Sequence, residues 1–148
     1  MIKGFILHIN RDLCENEFEK LLSFTSNEKR DQIKKYLYFQ DAQRTLLGDI
    51  LVKNAIYKHH NNLLKNNLAF KKNAYGKPFL MSHPNIQFNI SHAGRYVASA
   101  ISTVPIGIDI ELIKPFCLKI AERFFAPDET AYIMNGNRTH RFFEIWTK

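Results

Sequence analysis

Residues 105–111, Pro105-Ile106-Gly107-Ile108-Asp109-Ile110-Glu111, place isoleucine at every second position and Gly107, Asp109 and Glu111 at the others. That is the period of a strand with one buried face, and it puts both carboxylates on the opposite face. Two residues of strand rise separate their Cα atoms by about 6.6 Å. Carboxylates that close repel each other unless something positive lies between them, and a hard cation such as Mg²⁺ suits oxygen donors of this kind. A solvated strand edge with two unrelated acids is the blander reading, and D-x-E by itself favours it. Just upstream, Ile86, Phe88 and Ile90 alternate with Gln87, Asn89 and Ser91, so Asn89 and Ser91 share a polar face. His92 follows at the strand end, ahead of Gly94. A hydroxyl, an imidazole and free N–H groups at a glycine turn can clamp a phosphate. A hydrogen-bonded strand terminus accounts for the same residues equally well. With no His or Cys at ligand spacing around it, His92 does not read as a metal ligand.

The charge distribution adds weight to the chemical reading. From Ile50 to Ile108 there is no Asp or Glu, while Lys53, Lys58, Lys65, Lys71, Lys72, Lys77 and Arg95 all fall within that run. Before position 105 there are 15 Lys and Arg against 8 acids, and from 105 onward 6 against 6, so the first part carries the whole net charge of +7. An electropositive surface meeting paired carboxylates suits a polyanionic phosphate substrate with its own metal. A generally basic protein that binds nucleic acid is the competing reading. Against it, the basic residues are not interleaved with exposed aromatics on one element, and no recognised nucleic-acid module is present. Walker A, G-x-G-x-x-G and nucleophile-elbow motifs are likewise missing from the sequence.

The length of 148 residues predicts one globular domain of ordinary composition, 45% hydrophobic and 24% charged. Cys14 and Cys117 are far apart and read as reduced packing residues of a cytosolic protein. The start lacks the apolar core of a signal peptide, and the uncharged run 96–108 is too short to span a bilayer. The expectation is a soluble, cytoplasmic protein. Strands are expected over 2–9, 68–72, 79–80, 86–91 and 96–101, followed by the D-x-E strand. Helices are expected over 15–24, from a Ser26 cap through 28–36, over 41–60 with Asp41 as its cap, over 118–125, over 128–134, and from about 140. In the long helix, Leu47, Ile50, Leu51, Asn54, Ala55 and Lys58 follow the apolar period with one polar interruption. Asn-rich 61–67 reads as a loop, and Tyr75-Gly76-Lys77-Pro78 as a turn. Strands spread between helices without strict alternation favour α+β. Arg44 lies near the positive end of the long helix, where a cation is misplaced unless it faces away or serves an anion. Lys29 and Arg30 read as a solvated face. The final residues 141–148 look like a helix cut before its cap.

Taken together, the segments Arg44-Thr45-Leu46-Leu47-Gly48-Asp49, Tyr75-Gly76-Lys77-Pro78, Phe88-Asn89-Ile90-Ser91-His92, Gly107-Ile108-Asp109-Ile110-Glu111 and Arg123-Phe124-Phe125 closely resemble a 4′-phosphopantetheinyl transferase of the surfactin-synthetase-activating type. Trp146 resembles the opening of that family's W-x-x-K-E element. The resemblance covers the chain from Phe5 onward; any one element is weak, but five in the right order and spacing are specific.

The resemblance implies an α+β transferase of two similar halves, with 1–104 as the first half and 105–148 as the incomplete beginning of the second. It implies Mg²⁺-dependent transfer of the phosphopantetheine arm of coenzyme A to a serine of an acyl or peptidyl carrier protein, with antibiotic biosynthesis as an expected setting. Lys29, Arg44 and His92 match positions that grip the 3′-phosphate, Lys77 and Pro78 the turn beside the adenine, and Ser91 a position near the phosphates. Asp109 and Glu111 match two Mg²⁺ ligands, and 112–125 matches part of the carrier-docking surface. Ala93 stands where the family often has serine. The family's further glutamate and lysine lie beyond Lys148, so no catalytic residue is assigned within the chain. The expected form is a truncated chain, inactive or weakly active. The alternatives are a non-catalytic coenzyme A-binding remnant and a basic nucleic-acid-binding module.

Overall fold

The computed structural model describes residues 1–60, 68 and 70–147. The expected loop at 61–67 lies outside them. The chain divides into two compact units, Met1–Ile110 and Glu111–Lys148.

In the first unit the elements run β1 (Ile2–His8), α1 (Glu15–Leu22), α2 (Asn27–Lys34), α3 (Phe39–His59), β2 (Phe70–Lys72), β3 (Pro78–Leu80), β4 (Gln87–Ala93) and β5 (Tyr96–Ser102). The order β1-β5-β4 makes an antiparallel three-stranded sheet, and β2-β3 a separate hairpin. This mixture of helices with antiparallel strands is the expected α+β class. The β4–β5 pairing brackets a two-residue loop, with Ala93 opposite Tyr96. Gly94 fills the first loop position at φ +55°, a backbone that matches the strand twist and favours glycine.

Helix α3 packs across one face of the sheet. Its Val52, Ala55 and Ile56 join Leu80, Ile86, Phe88 and Ile101 in the main core, while Leu46 and Ala42 form a second cluster with Leu22 and Ile33 of α1 and α2. A Cβ at Gly48 would lie 2.9 Å from Cγ2 of Ile90, so this glycine sets the closest approach of helix to sheet. The buried stripe differs from the one the period suggested. It runs through Ala42, Leu46, Asp49, Val52, Ala55 and Ile56; of the expected positions Ala55 alone is buried, whereas Asn54 and Lys58 are exposed and Leu47, Ile50 and Leu51 only half-buried. Two adjoining clusters on one helix widen the apolar face and blur its period. Asp41 is not the cap either: the helix starts after Tyr38, and Asp41 turns to Arg44. Ser26 does cap α2, accepting a hydrogen bond from the Lys29 N–H at 3.2 Å. Cys14 and Cys117 are both exposed, at the starts of helices and not in the packing.

The second unit contains α4 (Leu118–Phe124), α5 (Pro127–Met134) and α6 (Arg138–Trp146). Ala121, Ile133, Phe142 and Phe143 form its core. Phe142 stacks on Phe116 at 4.2 Å between ring centroids and on Trp146 at 5.6 Å. Arg141 donates to the Tyr132 carbonyl at 2.7 Å, tying α6 to α5. Asn137 caps α6 by accepting from the His140 N–H.

Residues 105–110, expected as a strand, pair in no ladder among the described residues. The alternation itself persists: Ile106, Ile108 and Ile110 are half-buried, and Gly107 and Asp109 exposed. The segment is extended but held by side chains. Asn89 accepts from the Ile108 N–H at 3.1 Å and Ser91 from the Ile110 N–H at 3.2 Å. Bonds of this kind satisfy the backbone without the carbonyl partners that define a strand.

Candidate functional site

Three elements of the first unit bring cations together. The Ser26 cap fixes the first turn of α2 and with it Lys29, whose half-buried ammonium makes, among the described residues, only a long contact with Gln32, 3.4 Å. Burial lowers its pKa, and the Lys72 and Lys53 charges lower it further, while Asp49 acts in the opposite sense. Arg44, on α3, is held at both ends: Nη2 donates to Asp41 at 2.5 Å and Nη1 to the Gly94 carbonyl at 2.9 Å. The guanidinium is thereby fixed beside the end of β4. His92 stands there with its ring held below the usual imidazole range, first by partial desolvation and then by the Arg44 charge, with Lys29 adding to the effect. Lys29, Arg44 and His92 thus share one electrostatic field, although 63 positions separate the first from the last. An anion entering it would meet one half-buried ammonium, a braced guanidinium and an imidazole able to take up a proton.

The β2–β3 turn is built around Asn73. Its side-chain oxygen accepts from the N–H groups of Tyr75 and Lys77 at 3.0 and 2.9 Å, and Gly76 takes φ +78°. This fixes Lys77, whose Nζ donates to the Ile106 carbonyl at 2.9 Å. Pro78 opens β3 and lines a cleft of about 480 Å³ between α2, α3 and strands β2 to β4. Lys29, Lys71 and Lys72 line the cleft along with Asp49, and Val52, Phe70, Phe88 and Ile90 give it an apolar wall. Of the binding residues assigned from sequence, only Lys29 and Pro78 belong to this cleft. Gln32 and Phe70 carry no signal in the sequence, and Asp49 stands out there only within the Arg44–Asp49 segment. The acid-free run pointed to Lys71 and Lys72, but nothing in the spacing joined them to α2. Asp49 is buried and paired with Lys53 at 2.6 Å, and Lys53 also donates to the Phe24 carbonyl.

Ser91 has both functions of its hydroxyl in use. It donates to Asp109 Oδ1 at 2.8 Å and accepts from the Ile110 N–H. Asp109 itself is exposed. In the second unit, Glu111 Oε1 accepts from the Trp146 indole N–H at 3.3 Å. No group of three or more His, Cys, Asp or Glu side chains placed to hold a metal occurs among the described residues. Leu112, Ile113 and Phe124 are 50%, 56% and 66% exposed, within a stretch that also carries Lys114, Lys119 and Arg123. No helix of the described residues is long and apolar enough to cross a membrane.

Comparison with known families gives this geometry its context. Residues 12–104 match the family described as 4′-phosphopantetheinyl transferase, N-terminal, and residues 105–148 match the 4′-phosphopantetheinyl transferase superfamily. The chain belongs to the 4′-phosphopantetheinyl transferases. Across 99% of its length it is 39% identical to 4′-phosphopantetheinyl transferase Sfp of Bacillus subtilis (strain 168), covering 66% of that protein. It is 37% identical to 4′-phosphopantetheinyl transferase gsp of Aneurinibacillus migulanus, covering 62% of it. A shorter match, 32% over 89 residues, joins it to L-aminoadipate-semialdehyde dehydrogenase-phosphopantetheinyl transferase of Mus musculus. The chain thus spans just under two thirds of the length of these bacterial transferases. Within the transferase matches, Lys29, Arg44, Lys77, Pro78, Ser91 and His92 fall in the N-terminal range, and Asp109 and Glu111 in the superfamily range.

Proposed function

We propose that this protein acts in transferring the 4′-phosphopantetheine arm of coenzyme A to a serine of an acyl or peptidyl carrier protein. The convergence of Lys29, Arg44 and His92, with Lys29 lining the same cleft as Pro78, in a chain of this family, carries the reading. Lys29, Arg44 and His92 bind the 3′-phosphate, Lys77 and Pro78 border the adenine, and Ser91 stands toward the phosphates. In the reaction, the serine oxygen bonds to the phosphorus bearing the pantetheine and loses its proton. The bond from that phosphorus to the nucleotide side breaks, and adenosine 3′,5′-bisphosphate leaves with the electron pair.

Asp109 and Glu111 are the residues we assign to Mg²⁺. The fit rests on the Asp109 carboxylate, which is exposed and engages Ser91 through one oxygen only. Two hard carboxylates are a sufficient protein share for an ion that completes its shell with water and substrate phosphates. When bound, Mg²⁺ neutralises pyrophosphate charge and assists the departing group. Exposed apolar side chains among the cations of 112–124 support this stretch as part of the carrier-docking surface. In this reading 1–104 form the first transferase half and 105–148 the opening of the second, and the protein works in the cytoplasm.

The test is a mass shift of a carrier protein incubated with coenzyme A and MgCl₂. It compares the 148-residue chain with the same chain extended by the remaining third of a bacterial relative. The 148 residues alone are expected to give little or no product, and the extended form to give it, except with Asp109→Ala. Coenzyme A binding without transfer by either form would leave a non-catalytic coenzyme A-binding protein as the reading. Absence of both binding and transfer would refute the proposal.

A further inference from the structure

We propose that Asn89 and Ser91 are positioning residues for Asp109, and that Asn89 is the anchor that bound nucleotide does not disturb. The inference rests on the metal role given to Asp109 above. Residues 105–110 have the pattern of a strand without its ladder, so their backbone groups depend on other partners. Two of them find those partners two residues apart on β4, at the same spacing: Ile108 N–H on Asn89 Oδ1 at 3.1 Å, and Ile110 N–H on Ser91 Oγ at 3.2 Å. Asn89 and Ser91 alternate with Phe88 and Ile90, which join the core beneath α3, so the pair rises from the opposite face of the sheet. Their cross-strand neighbours on β5 are Ala100 and Ala98, which carry no group to compete for the two amides. Asp109 lies between the anchored amides, and the Ser91 hydroxyl fixes one of its oxygens at 2.8 Å. Two of the three bonds thus hold the backbone on either side of Asp109 and the third holds one carboxylate oxygen, so that among the described residues the other oxygen is left open to a cation.

The third anchor of the segment differs in kind. Lys77 donates to the Ile106 carbonyl, yet it belongs to the nucleotide side of the site, and a phosphate would compete for its ammonium. Ser91 is shared in the same way, because its single hydroxyl hydrogen cannot serve Asp109 and a phosphate together. Asn89 carries no such second duty. It keeps Ile108, and so the start of the carboxylate pair, in register when Lys77 turns to ligand.

The experiment uses the full chain and two readouts. Amide hydrogen exchange at Ile108 and Ile110 reports the clasp, and line broadening of the 108–111 amides by MnCl₂, standing in for Mg²⁺, reports the carboxylates. Asn89→Ala should lower protection at Ile108 about tenfold and raise the MnCl₂ midpoint several-fold. Asn89→Asp retains an acceptor oxygen and should restore the protection. Ser91→Ala should lower protection at Ile110 and raise the midpoint by about tenfold, the usual effect of losing a partner that orients a ligand. Unchanged protection at Ile108 in Asn89→Ala overturns the proposal, and so does lost protection with an unchanged midpoint. No broadening in the unsubstituted chain removes the metal role of Asp109 itself, and the exchange data then show separately whether the clasp exists.

Discussion

The 3′-phosphate of coenzyme A is the group that separates it from dephospho-coenzyme A, and the cluster at Lys29, Arg44 and His92 should read that difference. Lys29 contributes most. Its ammonium is half-buried, its Gln32 contact is long, and the nearest acid it senses, Asp49, is already paired with Lys53. Arg44 contributes less charge, since Asp41 bonds it at 2.5 Å, but three of its five N–H donors remain. A hydrogen bond to a charged partner contributes about 1.5–3 kcal/mol net. Screening at a half-exposed site and non-additivity hold two such contacts to about 2–3 kcal/mol, or about 30- to 150-fold in Kd. Calorimetry in moderate salt should show that ratio for coenzyme A over dephospho-coenzyme A. Lys29→Ala should reduce it to about fivefold while leaving dephospho-coenzyme A binding nearly unchanged. Arg44→Ala is the poorer variant, because it also strands Asp41 and releases Gly94.

His92 gives the same prediction a pH signature. Desolvation and Arg44 hold its ring below the usual imidazole range, so it is neutral at pH 7.5. A phosphate dianion beside it favours the charged form and raises its pKa in the complex. Binding then takes up a proton, and affinity for coenzyme A should rise as pH falls from 8 toward 6.5, with His92→Gln abolishing the slope. Below about pH 6 the phosphate protonates as well and the gain is offset. Equal affinities for the two ligands would refute the reasoning, as would a ratio untouched by Lys29→Ala.

Gly76→Ala forces a side chain onto a residue at φ +78°; it should cost about 1–2 kcal/mol locally and weaken coenzyme A binding by displacing Lys77, as titration calorimetry can show. Asp49→Asn removes the buried charge that pairs with the half-buried Lys53 ammonium and should lower stability by about 3 kcal/mol in urea unfolding, the low end for breaking such a pair because Lys53 is partly exposed and keeps the Phe24 carbonyl. Glu17, bonded to Arg11 and to the Cys14 N–H, has its pKa lowered from 4.5 to about 2; its contribution is therefore complete above about pH 4.5 and lost as pH falls through about 2, and Arg11→Ala should shift that loss to higher pH when α1 is followed by amide exchange.

The sequence carried most of the elements and several of the site residues, and the discrepancies have physical causes. Ser26 as a cap, the turn at Gly76 and the strands on either side of Gly94 were legible because local chemistry dictates each: a side-chain acceptor, a positive φ, a two-residue hairpin. The stripe on α3 was misread because that helix serves two clusters, and the face turned to Leu22 and Ile33 overlaps in period with the one turned to Phe88 and Ile101. Residues 105–110 were misread for the opposite reason. Their alternation was real, but alternation reports which side is covered and not what satisfies the backbone. The same limit applied to the cleft. Lys72 and Gln32 are 40 positions apart, and only the packing of α2 against α3 and of β2 beside β3 brings them to one wall. Local rules find the residues that shape a turn or a cap; residues that meet across elements become visible when register and packing are known. Asn89 belongs to that second class. In the sequence it is one polar residue of an alternating strand, and its link to Ile108 spans 19 positions. A polar side chain facing a backbone that lacks a ladder is the observation that gives it a role.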